Sequence, residues 1–186
     1  MFLKILIGIG VVIGLLLIVA AFTKKAYSVE REVVINKPKQ AVFDYIKYLK
    51  NQDNYSKWAT IDPGMKKEYR GTDGTAGFMY AWDSENQDAG KGEQEIKNVA
   101  EGERVDYNLH FIKPFEGRAL ASMTTEALSQ DQTKVKWRFD GKMPYPMNVM
   151  LLFMNMDKTI GDDLTTGLAN LKGLLETNDL PNNKNQ

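Results

Sequence analysis

Six strand-like segments follow one another through the middle of this chain, and only short turns separate them. Apolar and polar residues alternate along the segments, and the turns contain Gly, Asn or Asp. Parallel neighbours need a crossover of about a dozen residues or more, and these turns are shorter. We therefore predict an antiparallel sheet built from hairpins, with strands Met65–Arg70, Gly77–Asp83, Lys91–Ala100, Glu103–Lys113, Gly117–Ser129 and Thr133–Met143.

The alternation assigns the two faces of two strands. Val135, Trp137 and Phe139 share one face, and charged residues occupy the positions between them. Side chains of a strand point alternately to opposite faces, so this pattern predicts one buried and one solvated face. An earlier strand shows the same arrangement, and its inward-pointing residues are predicted to be Val105, Tyr107, Leu109 and Phe111.

A strand and an amphipathic helix precede this series, and a long helical run follows it. Residues 27–36 alternate as a strand, and a helical segment comes directly after them. Beyond Pro146, apolar residues recur every three or four positions as far as Glu176, and Asp157 interrupts the stripe. We expect one long C-terminal helix that covers the sheet. Residues 178–186 are polar and are predicted to be disordered.

The N-terminal segment from Phe2 to Phe22 has 21 residues and a single charge, Lys4. As a helix it spans roughly 30 Å, which is the thickness of a bilayer's hydrocarbon core. A cleavable signal peptide is the alternative interpretation, but its apolar region is usually shorter, at about 7 to 15 residues. Lys24 and Lys25 follow the segment directly, as expected for an uncleaved anchor. We predict a single-pass membrane protein whose residues 2–22 contact the lipid bilayer.

The distribution of positive charge gives a weak indication of orientation. Lys24, Lys25 and Arg31 follow the apolar segment, whereas only Lys4 and the amino terminus precede it. Positively charged flanks favour the cytosolic side of a membrane. The domain is therefore expected on the cytosolic face.

Composition excludes several classes of function. Subtracting the three lysines among the first 25 residues from 24 basic residues leaves 21, against 24 acidic residues, so the remainder has a net charge of −3. A mildly acidic domain without a basic cluster does not predict nucleic-acid binding. The chain has no Cys and one His, which excludes thiol chemistry, disulfides and the usual zinc sites. We expect no metal and no cofactor.

Three stretches of the sequence resemble the START-like superfamily, also called SRPBCC, which includes polyketide cyclases and lipid-transport proteins. They are Val29–Trp58, Gly90–Gly117 and Gly161–Glu176. The resemblance implies an α+β helix-grip fold over residues 27–177, in which a curved antiparallel sheet of about seven strands wraps around a long C-terminal helix. It also implies a cavity between sheet and helix for a hydrophobic small molecule or lipid. Members of this superfamily differ in function, so the fold alone does not fix the activity.

If the sheet encloses such a cavity, its inward-facing residues and the last helix should line it. Aromatic rings supply apolar contact area and methionines adapt their shape, which suits a broad apolar ligand. The candidate ligand-binding residues are Tyr80, Trp82, Tyr107, Leu109, Phe111, Met123, Trp137, Phe139, Met150, Phe153, Met154 and Asp157.

Two other interpretations remain open at this stage. In a cyclase- or dehydratase-like enzyme, Asp157 or a tyrosine of the cavity would act as acid or base, because a carboxylate on an apolar stripe needs a partner. In a regulatory or protein-interaction module, the core would be filled and a large apolar patch would be exposed. We favour non-catalytic ligand binding and assign no catalytic residue.

Overall fold

A computed structural model describes residues 1–177, and the predicted disordered tail, residues 178–186, lies outside the described residues. The helices are α1 (Phe2–Phe22), α2 (Lys39–Ile46), α3 (Lys57–Thr60) and α4 (Met156–Thr177), and two 3-10 turns span Leu49–Asn54 and Met147–Leu152. The strands are β1 (Ala26–Ile35), β2 (Lys66–Arg70), β3 (Met79–Asp83), β4 (Lys91–Ala100), β5 (Arg104–Lys113), β6 (Gly117–Ser129) and β7 (Gln132–Lys142).

The seven strands form one antiparallel sheet in the order β1-β7-β6-β5-β4-β3-β2. Consecutive strands from β2 to β7 pair as hairpins, as the short turns require. β1 completes the sheet by pairing with β7, where Arg31 lies opposite Trp137. The predicted seven-stranded helix-grip fold is confirmed.

The long helix α4 packs across the inner face of the sheet. Its apolar stripe, including Leu164, Leu168 and Leu171, is buried against the strands. At its start, the Arg31 guanidinium donates hydrogen bonds to both carboxylate oxygens of Asp157, each at 3.0 Å. Gly161 follows one turn later, and a side chain there would collide with the Arg31 guanidinium. The ion pair therefore fixes the first turns of α4 on β1.

The C-terminal helix begins later than the sequence pattern predicts. Residues from Met147 form a 3-10 turn, and the chain leaves helical geometry at Phe153, Met154 and Asn155 before α4 starts. The Asn155 side chain accepts a hydrogen bond from the backbone N–H of Lys158 at 2.9 Å, as a residue that caps a helix start does. The helical periodicity of α4 does not continue through this break. Residues before the break therefore point in other directions than the periodicity predicts.

One end of the space between sheet and α4 is filled by a compact core. Tyr55 and Tyr107 are completely buried there, together with Phe43 and Met123. The Tyr55 hydroxyl lies 3.4 Å from the Met123 sulfur, and the Tyr107 hydroxyl donates to the backbone carbonyl of Ile46 at 3.5 Å. α2 and the turn that follows it thus close this end.

Helix α1 stands apart from the sheet. Its side chains are exposed along almost its whole length, and Ala20, near its C-terminal end, is the one buried residue. Within residues 1–177 it is the one helix long and apolar enough to cross a membrane, a property that signal sequences share. Only Thr23, Lys24 and Lys25 separate it from β1.

Candidate functional site

A cavity of about 260 Å³ lies between the sheet and the start of α4, beside the filled core. This volume is just below the range of roughly 300–1,000 Å³ found for small-molecule pockets. Five strands, α3 and α4 contribute to its wall, together with three loops and the connection between α2 and α3. Its apolar and aromatic lining consists of Trp58, Ala59, Met65, Tyr80, Trp82, Ala89, Leu109, Phe111, Pro114, Phe115, Ala121, Trp137, Phe139 and Ile160.

The structure places six of the twelve candidate ligand-binding residues on this wall. Four belong to β5 and β7, whose faces the alternation assigned, and two belong to β3, whose face it left open: Leu109, Phe111, Trp137, Phe139, Tyr80 and Trp82. Their role in binding a ligand remains a prediction.

The other six candidates do not line the cavity. Tyr107 and Met123 point inwards as predicted, but they lie in the filled core. Met150, Phe153 and Met154 lie on the surface, because the break before α4 turns them away from the sheet. The sixth candidate, Asp157, also lies outside the cavity, as described below.

Asp157 faces solvent instead of the cavity. Its side chain is 70% exposed, and its partner is Arg31 of β1. The hydrogen bonds from Arg31 hold the pKa of Asp157 below its ordinary value, so the carboxylate stays ionised at neutral pH. Asp157 therefore cannot serve as an acid or base for a molecule inside the cavity.

A continuous row of aromatic rings forms the sheet side of the cavity. Tyr80 stacks on Trp82 with ring centres 5.7 Å apart, and Trp82 meets the edge of Phe111 at 6.2 Å. Phe111 in turn contacts Phe139 at 6.4 Å. Rings at these separations attract one another beyond simple burial. The wall is therefore broad, apolar and firmly held.

The orientation of Trp82 depends on a glycine in the neighbouring strand. Trp82 lies opposite Gly92 in the register of β3 and β4. A side-chain carbon at Gly92 would come within 2.5 Å of the indole ring, so the ring lies flat against the backbone there. The indole N–H donates to the carbonyl of Ala89 at 2.9 Å, which satisfies its polar group. Gly92 thus leaves space on the other side of the ring.

Trp137 separates the cavity from the filled core. Its ring meets Tyr55 of the core edge-on at 5.8 Å and Trp58 of the cavity wall at 6.0 Å. On the α4 side, a side-chain carbon at Gly167 would approach the Trp137 ring to 2.8 Å. The indole is therefore held between strand, α3 and α4, and it marks the inner boundary of the open space.

A few polar groups interrupt the apolar lining. Gln52, Ser56 and Gln94 are buried on the cavity wall. Within the described residues, the Gln52 side-chain nitrogen is buried and donates no well-formed hydrogen bond. Burial raises the pKa of Tyr55 and of Tyr107, and the nearby Gln52 amide opposes this effect. The Gln52 amide therefore lies beside the hydroxyls of Tyr55 and Tyr107, at the boundary between the cavity and the filled core.

The cavity opens at the end of the sheet nearest to α1. Its most exposed lining residues are Asp88 in the β3–β4 loop and Lys113, Pro114 and Phe115 at the β5–β6 turn. Of the residues that the structure describes, Asp88 is the one carboxylate on the wall, and it lies at this exposed rim. Burial, and more weakly the charge of Asp53, raise the pKa of Tyr80, so its phenol stays neutral.

Sequence patterns did not identify the contributions of the loops and of the connection after α2. Trp58 is the clearest example of a residue that could have been found. It is a large aromatic residue in a polar segment, and such a residue is usually buried. Gln52 and Ser56 gave no such signal, since polar residues in a connection are usually exposed.

In residues 1–177, no group of three His, Cys, Asp or Glu side chains is arranged to hold a metal ion.

A scan against protein-family models and a search of curated proteins gave no match. Solved structures do match. A protein from Nitrosospira multiformis aligns with a TM-score of 0.56 and 14% identity over 83% of this chain and 100% of its own. Ara h 8.0201 aligns with a TM-score of 0.55 and 14% identity over 82% of this chain and 99% of its own. A point mutant of norcoclaurine synthase from Thalictrum flavum, solved in complex with a transition-state analogue, also matches. It aligns with a TM-score of 0.58 and 10% identity over 83% of this chain and 96% of its own.

These similarities extend over most of the chain and nearly the full length of each matched protein. The START-like resemblance is thereby confirmed as a shared helix-grip fold. At 10–14% identity the likeness is one of fold, and function has to be argued from the cavity itself.

Proposed function

We propose that this protein is a membrane-tethered domain that binds one small hydrophobic molecule in the cavity between its sheet and α4. The observation that carries the proposal is the cavity of about 260 Å³, whose wall is aromatic and apolar. Burial of apolar surface supplies the binding free energy, at roughly 25 cal/mol for each Å² removed from water. The same fold accommodates a transition-state analogue in the norcoclaurine synthase structure.

The lining also restricts the chemistry of the ligand. Gln52, Ser56 and Gln94 offer amide and hydroxyl groups on the wall, and no buried charge accompanies them among the described lining residues. An ionic group would lose its hydration there without gaining a counter-ion. The expected ligand is therefore compact and mostly apolar, and any polar group that it carries is uncharged.

Anchoring by the apolar helix α1 would bring the binding domain close to its ligands. In this proposal α1 spans the bilayer as an uncleaved anchor, and the lysines that follow it favour the cytosolic face for the domain. Hydrophobic molecules concentrate in bilayers, so a binding domain fixed at the membrane surface meets them at high local concentration. The carbonyl groups inside α1 are satisfied by its own helix, as a spanning segment requires.

Ala121 allows a direct test, because it is buried on the cavity wall and its methyl group faces the open space. Ala121→Leu would occupy part of the cavity. Ala127→Leu is the matched control, since Ala127 is exposed on the same strand. Full-length protein would be reconstituted in nanodiscs of one synthetic phospholipid, and the molecules released on denaturation would be identified by mass spectrometry.

We expect wild type and Ala127→Leu to release the same apolar molecule. Ala121→Leu should retain about tenfold less, which corresponds to about 1.4 kcal/mol of binding free energy. Equal retention by all three proteins would place the molecule outside the cavity. Absence of any molecule besides the nanodisc lipid from wild type would contradict ligand binding altogether.

A further inference from the structure

A stretch of 14 residues, 143–156, contains no charged side chain, and we call it the uncharged segment. It joins β7 to α4 and includes the 3-10 turn Met147–Leu152. Several of its large apolar side chains face solvent: Phe153 is 80% exposed, Leu152 56% and Met147 48%. Contiguous apolar surface of this kind marks a site that contacts another apolar surface.

The uncharged segment is fastened to the end of α1. Asn148 is completely buried, and its amide donates hydrogen bonds to the backbone carbonyls of Ala20 at 2.7 Å and Thr23 at 2.9 Å. The Ala20 carbonyl also accepts the backbone N–H of Thr23 at 3.3 Å, so Asn148 adds a second bond there and binds the first carbonyl beyond α1. The backbone N–H of Met143 also donates to the carbonyl of Lys25 at 2.9 Å.

This attachment fixes the height of the segment relative to a bilayer that α1 spans. Three residues separate α1 from β1, and even fully extended they reach only about 10 Å. The polar headgroup layer on each side of a bilayer is roughly 5–8 Å thick. The short linker and the two bonds from Asn148 therefore hold the uncharged segment at the end of α1, within this layer or directly beside it.

We propose that the uncharged segment is a second membrane contact, which inserts Phe153, Leu152 and Met147 into the boundary between headgroups and acyl chains. The inference rests on the proposed anchoring by α1. Exposed lysines flank the segment, with Lys142 and Lys158 on either side of it and Lys24 and Lys25 after α1, and the nearby carboxylate of Asp157 is paired with Arg31. Apolar side chains with a rim of cations match an interface that is apolar inside and carries phosphate groups outside.

The contact also places the cavity opening against the membrane. Phe115, on the rim of the cavity, is 75% exposed and belongs to the turn between β5 and β6. The strand register puts this turn at the same end of the sheet as the start of β1 and the end of β7, because Ala119 pairs with Gly141 and Ala26 with Lys142. A hydrophobic molecule can then pass between bilayer and cavity without crossing open water.

Because the chain has no Cys, single cysteines can be labelled without background. Full-length Phe153→Cys would carry a nitroxide label and be reconstituted in phosphatidylcholine vesicles, where electron paramagnetic resonance compares its accessibility to oxygen and to a water-soluble nickel chelate. Val12→Cys, within α1, reports on the anchor. Leu128→Cys is the aqueous control, since Leu128 is 47% exposed at the opposite end of the sheet.

The proposal predicts an oxygen-to-nickel accessibility ratio at Phe153 between the high value at Val12 and the low value at Leu128. If Val12 is in the bilayer and Phe153 matches Leu128, the second contact is absent while the anchor stands. If Val12 itself is accessible to the nickel chelate, the anchoring fails, and this inference with it. A label at Phe153 that is immobilised and shielded from both reagents would indicate a protein partner instead and overturn the proposal.

Discussion

The two ends of the space between sheet and α4 differ sharply, although the same strands and the same helix enclose both. At one end Tyr55, Tyr107 and Met123 are completely buried in a filled core. At the other end, nearest to α1, Phe111 and Phe139 face a cavity of about 260 Å³. Trp137 stands between the two regions.

The two ends differ because apolar side chains reach under the sheet at one end and not at the other. α2 and the turn after it place Phe43, Ile46 and Leu49 under the sheet at the filled end, where each is at most 2% exposed. At the open end the corresponding apolar residues belong to the uncharged segment, and they point to the surface because helical geometry stops before Asn155. The fold thus separates a region that supplies stability from one that is free to bind.

The largest effect is expected from truncation of the filled core. Leu171→Ala removes a completely buried side chain and should lower the free energy of unfolding by about 2–5 kcal/mol. Leu109→Ala, the matched change on the cavity wall, removes a half-buried side chain that already borders open space and should cost about 1 kcal/mol. Denaturant unfolding of the full-length protein in detergent, followed by tryptophan fluorescence, measures both.

Equal losses for Leu171→Ala and Leu109→Ala would erase the distinction between the two ends. In that case the cavity would be closed by side-chain rearrangement in solution, and the wall would behave as ordinary core. A larger loss at Leu109 would reverse the comparison.

An intermediate effect is expected at the boundary residue Trp137. Gly167→Ala adds a methyl group within 2.8 Å of the indole, which must then move towards the cavity. We expect a stability loss of about 1 kcal/mol or more, together with weaker retention of the bound molecule. Gly173→Ala on the same helix meets nothing within 4 Å and should stabilise the protein by roughly 0.5–1 kcal/mol, because Ala favours helix.

Both substitutions give α4 the same gain in helix propensity, so the difference in stability between them measures the contact of α4 with Trp137. A Gly167→Ala protein as stable as Gly173→Ala, with unchanged ligand retention, would show that Trp137 is not held between α4 and the sheet. Thermal unfolding and the nanodisc extraction described above provide the two measurements.

The smallest effect concerns the ion pair at the start of α4, beside the open end. The hydrogen bonds from Arg31 lower the pKa of Asp157 from its ordinary value of 3.8. A carboxylate whose pKa is lower in the folded state stabilises the fold above 3.8, and this contribution is lost as pH falls through the folded-state value. Asp157→Asn should therefore lower Tm slightly at neutral pH and make no difference in acid.

Salt provides the control for this prediction. Asp157 is 70% exposed, so the difference in Tm between wild type and Asp157→Asn should also shrink as ionic strength rises. A difference that persists at low pH and high salt would show that Asp157 acts through packing or helix capping instead of charge.

The strands and their faces could be predicted from the sequence because alternation is a local property. The segments predicted at 91–100 and 117–129 coincide with β4 and β6, and the other strands differ from prediction by two residues or fewer at each end. Four of the six candidates on the cavity wall, those of β5 and β7, were found by this alternation. The helical part of the list failed, because periodicity does not reveal a break unless its capping residue, here Asn155, is recognised.

The sequence alone predicts an antiparallel sheet, a long amphipathic helix and a separate apolar segment, since each follows from side-chain period or length. Which inward-facing residues meet core and which meet open space follows from the tertiary structure, because Tyr107 and Phe111 share one face of β5, yet Tyr107 lies in the filled core and Phe111 on the cavity wall. The tertiary structure also decided that Asn148 joins the uncharged segment to α1. Such contacts join residues more than a hundred positions apart, and no local pattern records them.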